Sequence, residues 1–356
     1  MRSALLLLLF LSTGCVNSES TPDDVAPWLN PRWVAQESGT DALIIGMHAV
    51  DDQVVWASGQ RGTFVRTTNG GSTWTAGVVP GADSLEFRDV HGITADMAYL
   101  LSAGTGDASR IYKTVDAGTT WTLQYMNEEP DGFFDCMSFW DADRGIAMSD
   151  AVDGEFILIS TADGGATWTR IDPAVVPDAF PGEGSFASSG TCLITMPGGH
   201  VWFGTGASGV ETRIISSADY GQSWQASGTP LASDTPSSGT YSLAFWDHDH
   251  GLALGGDYAR RDTLLPSVAF TEDGGKTWQL TASFPLKGSV YGSSTVPGMP
   301  TPTVVAVAPT GSAYSYDGGH TWAPLDTLNY WTVAFAGADV GWAGGPNGRI
   351  ARFSAE

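Results

Sequence analysis

Short β-rich runs dominated by apolar positions recur along the chain between polar breaks, such as Val54-Val55-Trp56-Ala57-Ser58 and Thr63-Phe64-Val65-Arg66-Thr67. β-Branched and aromatic residues fill these runs, and Gly, Asp, Asn and Ser separate them. That is the pattern of short strands joined by tight turns. Six turn segments repeat one scheme, in which Ser or Thr, then Asp or Asn, then Gly, precede a Trp. They end at Trp74, Trp121, Trp168, Trp224, Trp278 and Trp322, with spacings of 47, 47, 56, 54 and 44. The scheme is structural in its chemistry. Gly takes a positive φ without steric cost, the Asp or Asn carboxyl and the Ser/Thr hydroxyl bond the turn's own backbone, and Trp is a large apolar wedge between packed sheets.

A fixed period of this length predicts a radial repeat architecture. Two or three β-rich runs precede each turn segment. After Trp322 the chain offers Thr332-Val333-Ala334-Phe335, Val340-Gly341-Trp342-Ala343 and Arg349 to Phe353, three strands without a fourth. At the other end, Trp33-Val34-Ala35-Gln36 matches Trp121-Thr122-Leu123-Gln124, the strand that follows a turn segment. The expected fold is therefore an all-β, seven-bladed β-propeller spanning 33–356, its last blade closed by the N-terminal strand, which removes a free sheet edge.

The six segments resemble the BNR or Asp-box repeat of sialidases and of photosystem II stability/assembly factor-like propellers. In those families the box joins the third and fourth strands of a blade, on the face opposite the functional one, so the resemblance implies that the boxes are scaffold. The chain also resembles the bacterial branch of the assembly factor-like propellers in Phe87-Arg88-Asp89-Val90, Ser109 to Thr114, Phe133-Phe134-Asp135, Gly182 to Cys192, Gly255 to Tyr258 and Gly345 to Ile350. The photosynthetic members look like chaperones for a membrane reaction-centre subunit and use a basic surface. This chain departs from them, with 16 Lys+Arg against 39 Asp+Glu and a net charge of −23. Such a balance, with Lys113, Lys276 and Lys287 as the only lysines, excludes a nucleic-acid binder.

Past residue 14 no apolar run approaches the ~18 residues of a spanning helix. Residues 1–14, with Arg2 and the apolar stretch Leu5 to Leu11, read as a signal peptide. Ending on Gly14-Cys15, it resembles a bacterial lipoprotein signal, which implies lipidation at Cys15. Residues 15–32 are polar and Pro-containing, and read as a flexible tether. The expected product is an exported, monomeric, outer-membrane lipoprotein that touches the membrane only through its anchor.

Candidate site residues come from the face opposite the boxes. Arg61, Arg110, Asp150, Asp153, Asp257, Tyr258, Arg260 and Arg261 are expected in loops between second and third strands. Arg88, Asp89, Asp135 and the stretch from Glu183 to Ser188 and Ser189 are expected just before first strands. The two long spacings arise from loops on this face, and long loops in compact domains are commonly functional. Arginine forks among carboxylates suit an acidic or glycan ligand; mutual pairing of these charges around a wet channel is the competing reading. A sialidase-like glycoside hydrolase is the alternative function, with Arg61, Arg88, Arg110, Tyr258, Glu183 and Asp135 available for its parts. The family's Arg-Ile-Pro motif is absent, since Ala351 follows Arg349-Ile350. No residue is assigned a catalytic role, and no cofactor or metal is expected. Asp141 to Gly145 and Asp247 to Gly251 read as plain turns, and the six histidines show no close metal spacing beyond His248/His250. Cys136 and Cys192 align at the same place in neighbouring first strands. They are therefore expected to point the same way round the ring and to stay free thiols. The resulting function is a binding or assembly scaffold for an envelope protein or ligand.

Overall fold

A computed structural model describes residues 28–355. The signal peptide, Cys15 and most of the tether lie outside the described residues. Seven antiparallel four-stranded sheets are arranged as blades. Blade one runs Ile44–Ala49, Val55–Gly59, Thr63–Thr67 and Thr75–Val78, each strand hydrogen-bonded to the next. Blades two to six repeat this order, with inner strands Phe87–Gly92, Phe134–Phe139, Leu193–Met196, Ser238–Phe245 and Gly292–Thr295. Blade seven takes Thr332–Gly337, Val340–Gly344 and Ile350–Ser354 from the C-terminal end, and Arg32–Gln36 from the N-terminal end as its outer strand. The pairing of Trp33 with Phe353 closes the ring as expected. Trp28 extends the closure: its indole packs among Tyr314, Tyr316, Phe335 and Phe353 and donates to the Ala338 carbonyl at 2.7 Å.

Each of the six repeats joins a third to a fourth strand and is held by its own hydrogen bonds. In blade five, Thr271 Oγ1 donates to Asp273 Oδ1 and accepts from Gly275 N at 2.9 Å, while Asp273 also accepts from Thr277 N at 2.9 Å and Thr277 Oγ1 at 2.6 Å. Where the first Gly of the turn is replaced by Ala117 or Tyr220, the backbone still holds φ of 64° and 60°. The turn geometry thus survives a residue for which it is unfavourable.

Apolar clusters lie between neighbouring blades. Trp56, Phe64, Phe87, Val90, Leu100 and Tyr112 form one of them. The largest fully buried side chains include Trp56, Trp202 and Trp342 on second strands, whereas Trp74, Trp121, Trp168 and Trp224 of the repeats are half-buried.

Two expectations are corrected here. Cys136 and Cys192 form a disulfide with Cα atoms 6.0 Å apart. The rule that equal positions point the same way holds only inside a regular ladder. Cys136 follows a register shift in its strand, and Cys192 precedes the first residue of its own, so strict alternation does not govern either one. The second correction concerns placement: Arg88, Asp89 and Asp135 lie within first strands rather than before them, and Arg110, Asp150 and Asp257 lie in second or third strands rather than in the loops between them. The inner strands of blades one, two, three and five share one bulge, which leaves Ile45, Arg88, Asp135 and Tyr241 without ladder partners.

Candidate functional site

The segment 182–192 between blades three and four runs across the ring rather than along its rim. At its start, Glu183 is buried against Arg213, whose Nε donates to it at 2.9 Å. Glu183 also accepts from Thr205 Oγ1 at 2.5 Å and Phe180 N at 2.8 Å. Ser185 N donates to Asp150 of blade three at 2.7 Å. Phe186 stacks on Tyr241 of blade five at 4.1 Å. The Ala187 carbonyl accepts from Arg88 of blade two at 3.2 Å. Ser188 and Ser189 donate through their hydroxyls to the Tyr291 carbonyl of blade six at 2.7 and 2.6 Å. Contacts to five other elements of the ring, ending at the Cys136–Cys192 bridge, make this segment a plug in the central channel. Arg88 and Tyr241, two of the bulged residues, form part of its seat.

The plug and channel wall enclose three of the candidate carboxyls and couple two of them, Asp135 and Asp150. Asp89, Asp135 and Asp150 lie beneath or beside the plug, and all have raised pKa values. Burial lifts Asp89 to about 7, opposed by the backbone N–H of Met137, which donates to it at 2.7 Å. Burial likewise lifts Asp150 to about 6, against the Ser185 hydrogen bond. Asp135 is held well above its usual range by burial first, then by the charge and hydrogen bond of Asp150, with Arg88 opposing. One oxygen of Asp135 is buried without a hydrogen-bond partner among the described residues. The pair retains a proton near neutral pH because two like charges in one desolvated site cannot both ionise.

The remaining candidates are dispersed, and most are engaged with neighbours. Arg61 pairs with Asp41 at an exposed turn. Arg88 forks onto Glu86 at 2.7 and 3.1 Å. Arg110 lies 3.7 Å from Asp107. Asp153 sits exposed at a turn with φ 53°. Asp257 is buried; that burial would raise its pKa, but hydrogen bonds from Ser237, Thr235, Ala259 and Arg260 prevail and hold it at about 2. Tyr258 is exposed and meets Phe186 edge-on at 6.3 Å. Arg261 donates to the Tyr258 carbonyl at 3.3 Å.

Beside the plug lies a recess of about 350 Å³. Its walls include Asp89, Ser138, Thr191 and Thr195, with the imidazoles of His48 and His91 stacked at 4.3 Å. Burial lowers His48 to about 4. It lowers His91 still more decisively, with the charge of His48 adding to the effect. These two histidines were not among the sequence candidates. The signal was available, because each is the residue just before the last of its inner strand's paired register, opposite Trp56 and Tyr99. Aligning blades one and two on their first two strands superposes them, each eight residues before its partner across the ladder. No group of three or more His, Cys, Asp or Glu among the described residues is placed to hold a metal, and no helix there is long and apolar enough to cross a membrane.

No family model matches the sequence, and neither does any curated protein. Solved structures do match in fold. YCF48 bound to D1 peptide is similar over 95% of this chain and 100% of its own, at 17% identity and a TM-score of 0.66. YCF48 from Cyanidioschyzon merolae covers 91% of this chain and 99% of its own, at 14% identity and a TM-score of 0.64. A GH74 xyloglucanase from Xanthomonas campestris is similar over 90% of this chain but 53% of its own, at 15% identity and a TM-score of 0.62.

Proposed function

We propose that this chain is a binding and assembly scaffold of the bacterial cell envelope, exported and held there by a lipid on Cys15. Its six turn segments belong, on this reading, to the Asp-box type. The observation that carries the reading is the plug. Segment 182–192 closes the channel, and the candidate arginines on that face are mostly occupied by their own neighbours. What remains for recognition is surface rather than a cleft. YCF48, similar in fold, has been solved with a peptide bound, and a peptide or protein partner is the ligand class proposed here.

The carboxyl geometry argues against glycoside hydrolysis at this site. A retaining or inverting pair needs its carboxyls about 5–9.5 Å apart around a substrate. Asp135 and Asp150 instead are coupled directly to each other under the plug, with the charge of Asp150 raising the pKa of Asp135. The test is affinity capture of the full chain from its own envelope, with mass spectrometry of what accompanies it, beside acyl labelling of wild type and Cys15→Ala. The expected results are one protein enriched at near-stoichiometric level and label lost in the variant. Sugar release from envelope glycans with no protein enriched would overturn the scaffold reading.

A further inference from the structure

A second recessed surface lies on the repeat face, between blades five and six. It encloses about 440 Å³ and is formed by the first turn and repeat of blade five and the corresponding parts of blade six. Its apolar walls are the half-buried rings of Trp246 and Phe270. Trp246 lies parallel to His250 and against Gly318, where an added Cβ would come within 3.2 Å of the indole. Phe270 meets His320 edge-on at 4.4 Å. The groove's carboxylates are Asp247, Glu272 and Asp317, and no Lys or Arg lines it.

The three carboxylates are in different states. Asp317 is committed to its own turn through Thr321 and Ser315. Asp247 caps its turn and binds His250 Nδ1 at 2.9 Å. Both acids sit below their usual pKa, because those hydrogen bonds outweigh the burial that would raise them. Glu272 is exposed and has no hydrogen-bond or ion-pair partner among the described residues. The Trp246 indole N–H likewise has no acceptor among them.

We propose that this groove docks a lysine or arginine side chain of a partner protein, its alkyl stem against Trp246 and Phe270 and its charged head on Glu272. Aromatic faces beside carboxylates favour an organic cation twice, through the ring quadrupole and through charge. Charge also rules out the chain's own occupants. Residues 16–27 bring Glu19, Asp23 and Asp24 and no Lys or Arg. A second copy at −23 would meet the groove's acids with its own. The inference does not depend on the scaffold reading, because it concerns the other face and is read at one residue.

The probe is Nα-acetyl-arginine methylamide, titrated into the full chain, with its neutral citrulline isostere as control. The Trp246 indole NMR signal is assigned by its disappearance in Trp246→Phe. It is expected to shift saturably with the arginine probe, and Glu272→Gln should weaken that response about tenfold while leaving the melting temperature unchanged, since Glu272 supports nothing else. Glu272→Gln alone keeps the proposal testable if Trp246→Phe folds poorly, with the assignment then made by through-bond spectroscopy. An equal response to citrulline, an unaltered response in Glu272→Gln, or a Trp246 signal that responds to a xyloglucan oligosaccharide but not to arginine would overturn it.

Discussion

Asp89, Asp135 and Asp150 are acids whose ionisation the fold disfavours, and their effect on stability has a definite sign. An acid whose folded pKa exceeds its unfolded value stabilises most below the unfolded value, and that contribution is lost as pH rises through the folded one. For Asp150 the loss runs from 3.8 to about 6, and for Asp89 to about 7. His48 acts in the opposite direction: its folded pKa is depressed from 6.5 to about 4, so stability is lost as pH falls through that window. A variant difference separates the two effects. Asp135→Asn keeps the shape and removes one of the coupled carboxyls. Its melting temperature should equal the wild type's near pH 4 and exceed it by several degrees near pH 7.5. A variant that is less stable at pH 7.5, or equally shifted at both pH values, would refute the shared-proton account.

Among the elements, the repeats and the plug make separate demands. A repeat turn closes its hydrogen bonds within itself, so Asp273→Ala should cost about 1–2 kcal/mol in urea unfolding through the lost bonds to Thr277 and Thr271. Binding at the plug face should stay intact, because the turn lies on the opposite face; binding there lost from a fully stable variant would refute the division between the two faces, while the groove beside Glu272 is read separately by the arginine titration. The plug is held at its end by the Cys136–Cys192 bridge, which closes a sequence separation of 56 residues. Replacing both cysteines by Ala should lower stability by about 4 kcal/mol on chain-entropy grounds. It should also turn 182–192 into a site of early proteolysis. If cleavage maps elsewhere, the bridge does not anchor the plug.

At the scale of the whole molecule, the ring depends on its seam. The strand Arg32–Gln36 supplies the outer edge of blade seven, and Trp28 seals it from outside. Deleting 29–40 leaves a three-stranded blade with an open edge, and the expected result is a melting temperature lower by about 10 °C or more, with a tendency to associate. An unchanged melting temperature would mean that the seam contributes nothing. The net charge of −23 belongs to this scale too, and a basic partner is the electrostatic complement of the groove proposed between blades five and six.

The all-β class, the seven blades and the seam between Trp33 and Phe353 were legible in the chain because they rest on local or repeated signals. Each turn segment contains its own hydrogen-bond partners, and the missing fourth strand after Trp322 has its match at Trp33. The gathering of Asp89, Asp135 and Asp150 was legible only in part. The residues were singled out, but placed on a rim instead of inside the channel, since a bulge in an inner strand leaves no mark that sequence alternation reveals. The plug, the Cys136–Cys192 bridge and the full burial of Trp56, Trp202 and Trp342 were decided by tertiary structure alone. They share one physical reason. Each depends on how closely blades converge near the axis and on which neighbour faces which, and that distance is set by packing the whole ring rather than by any stretch of the chain.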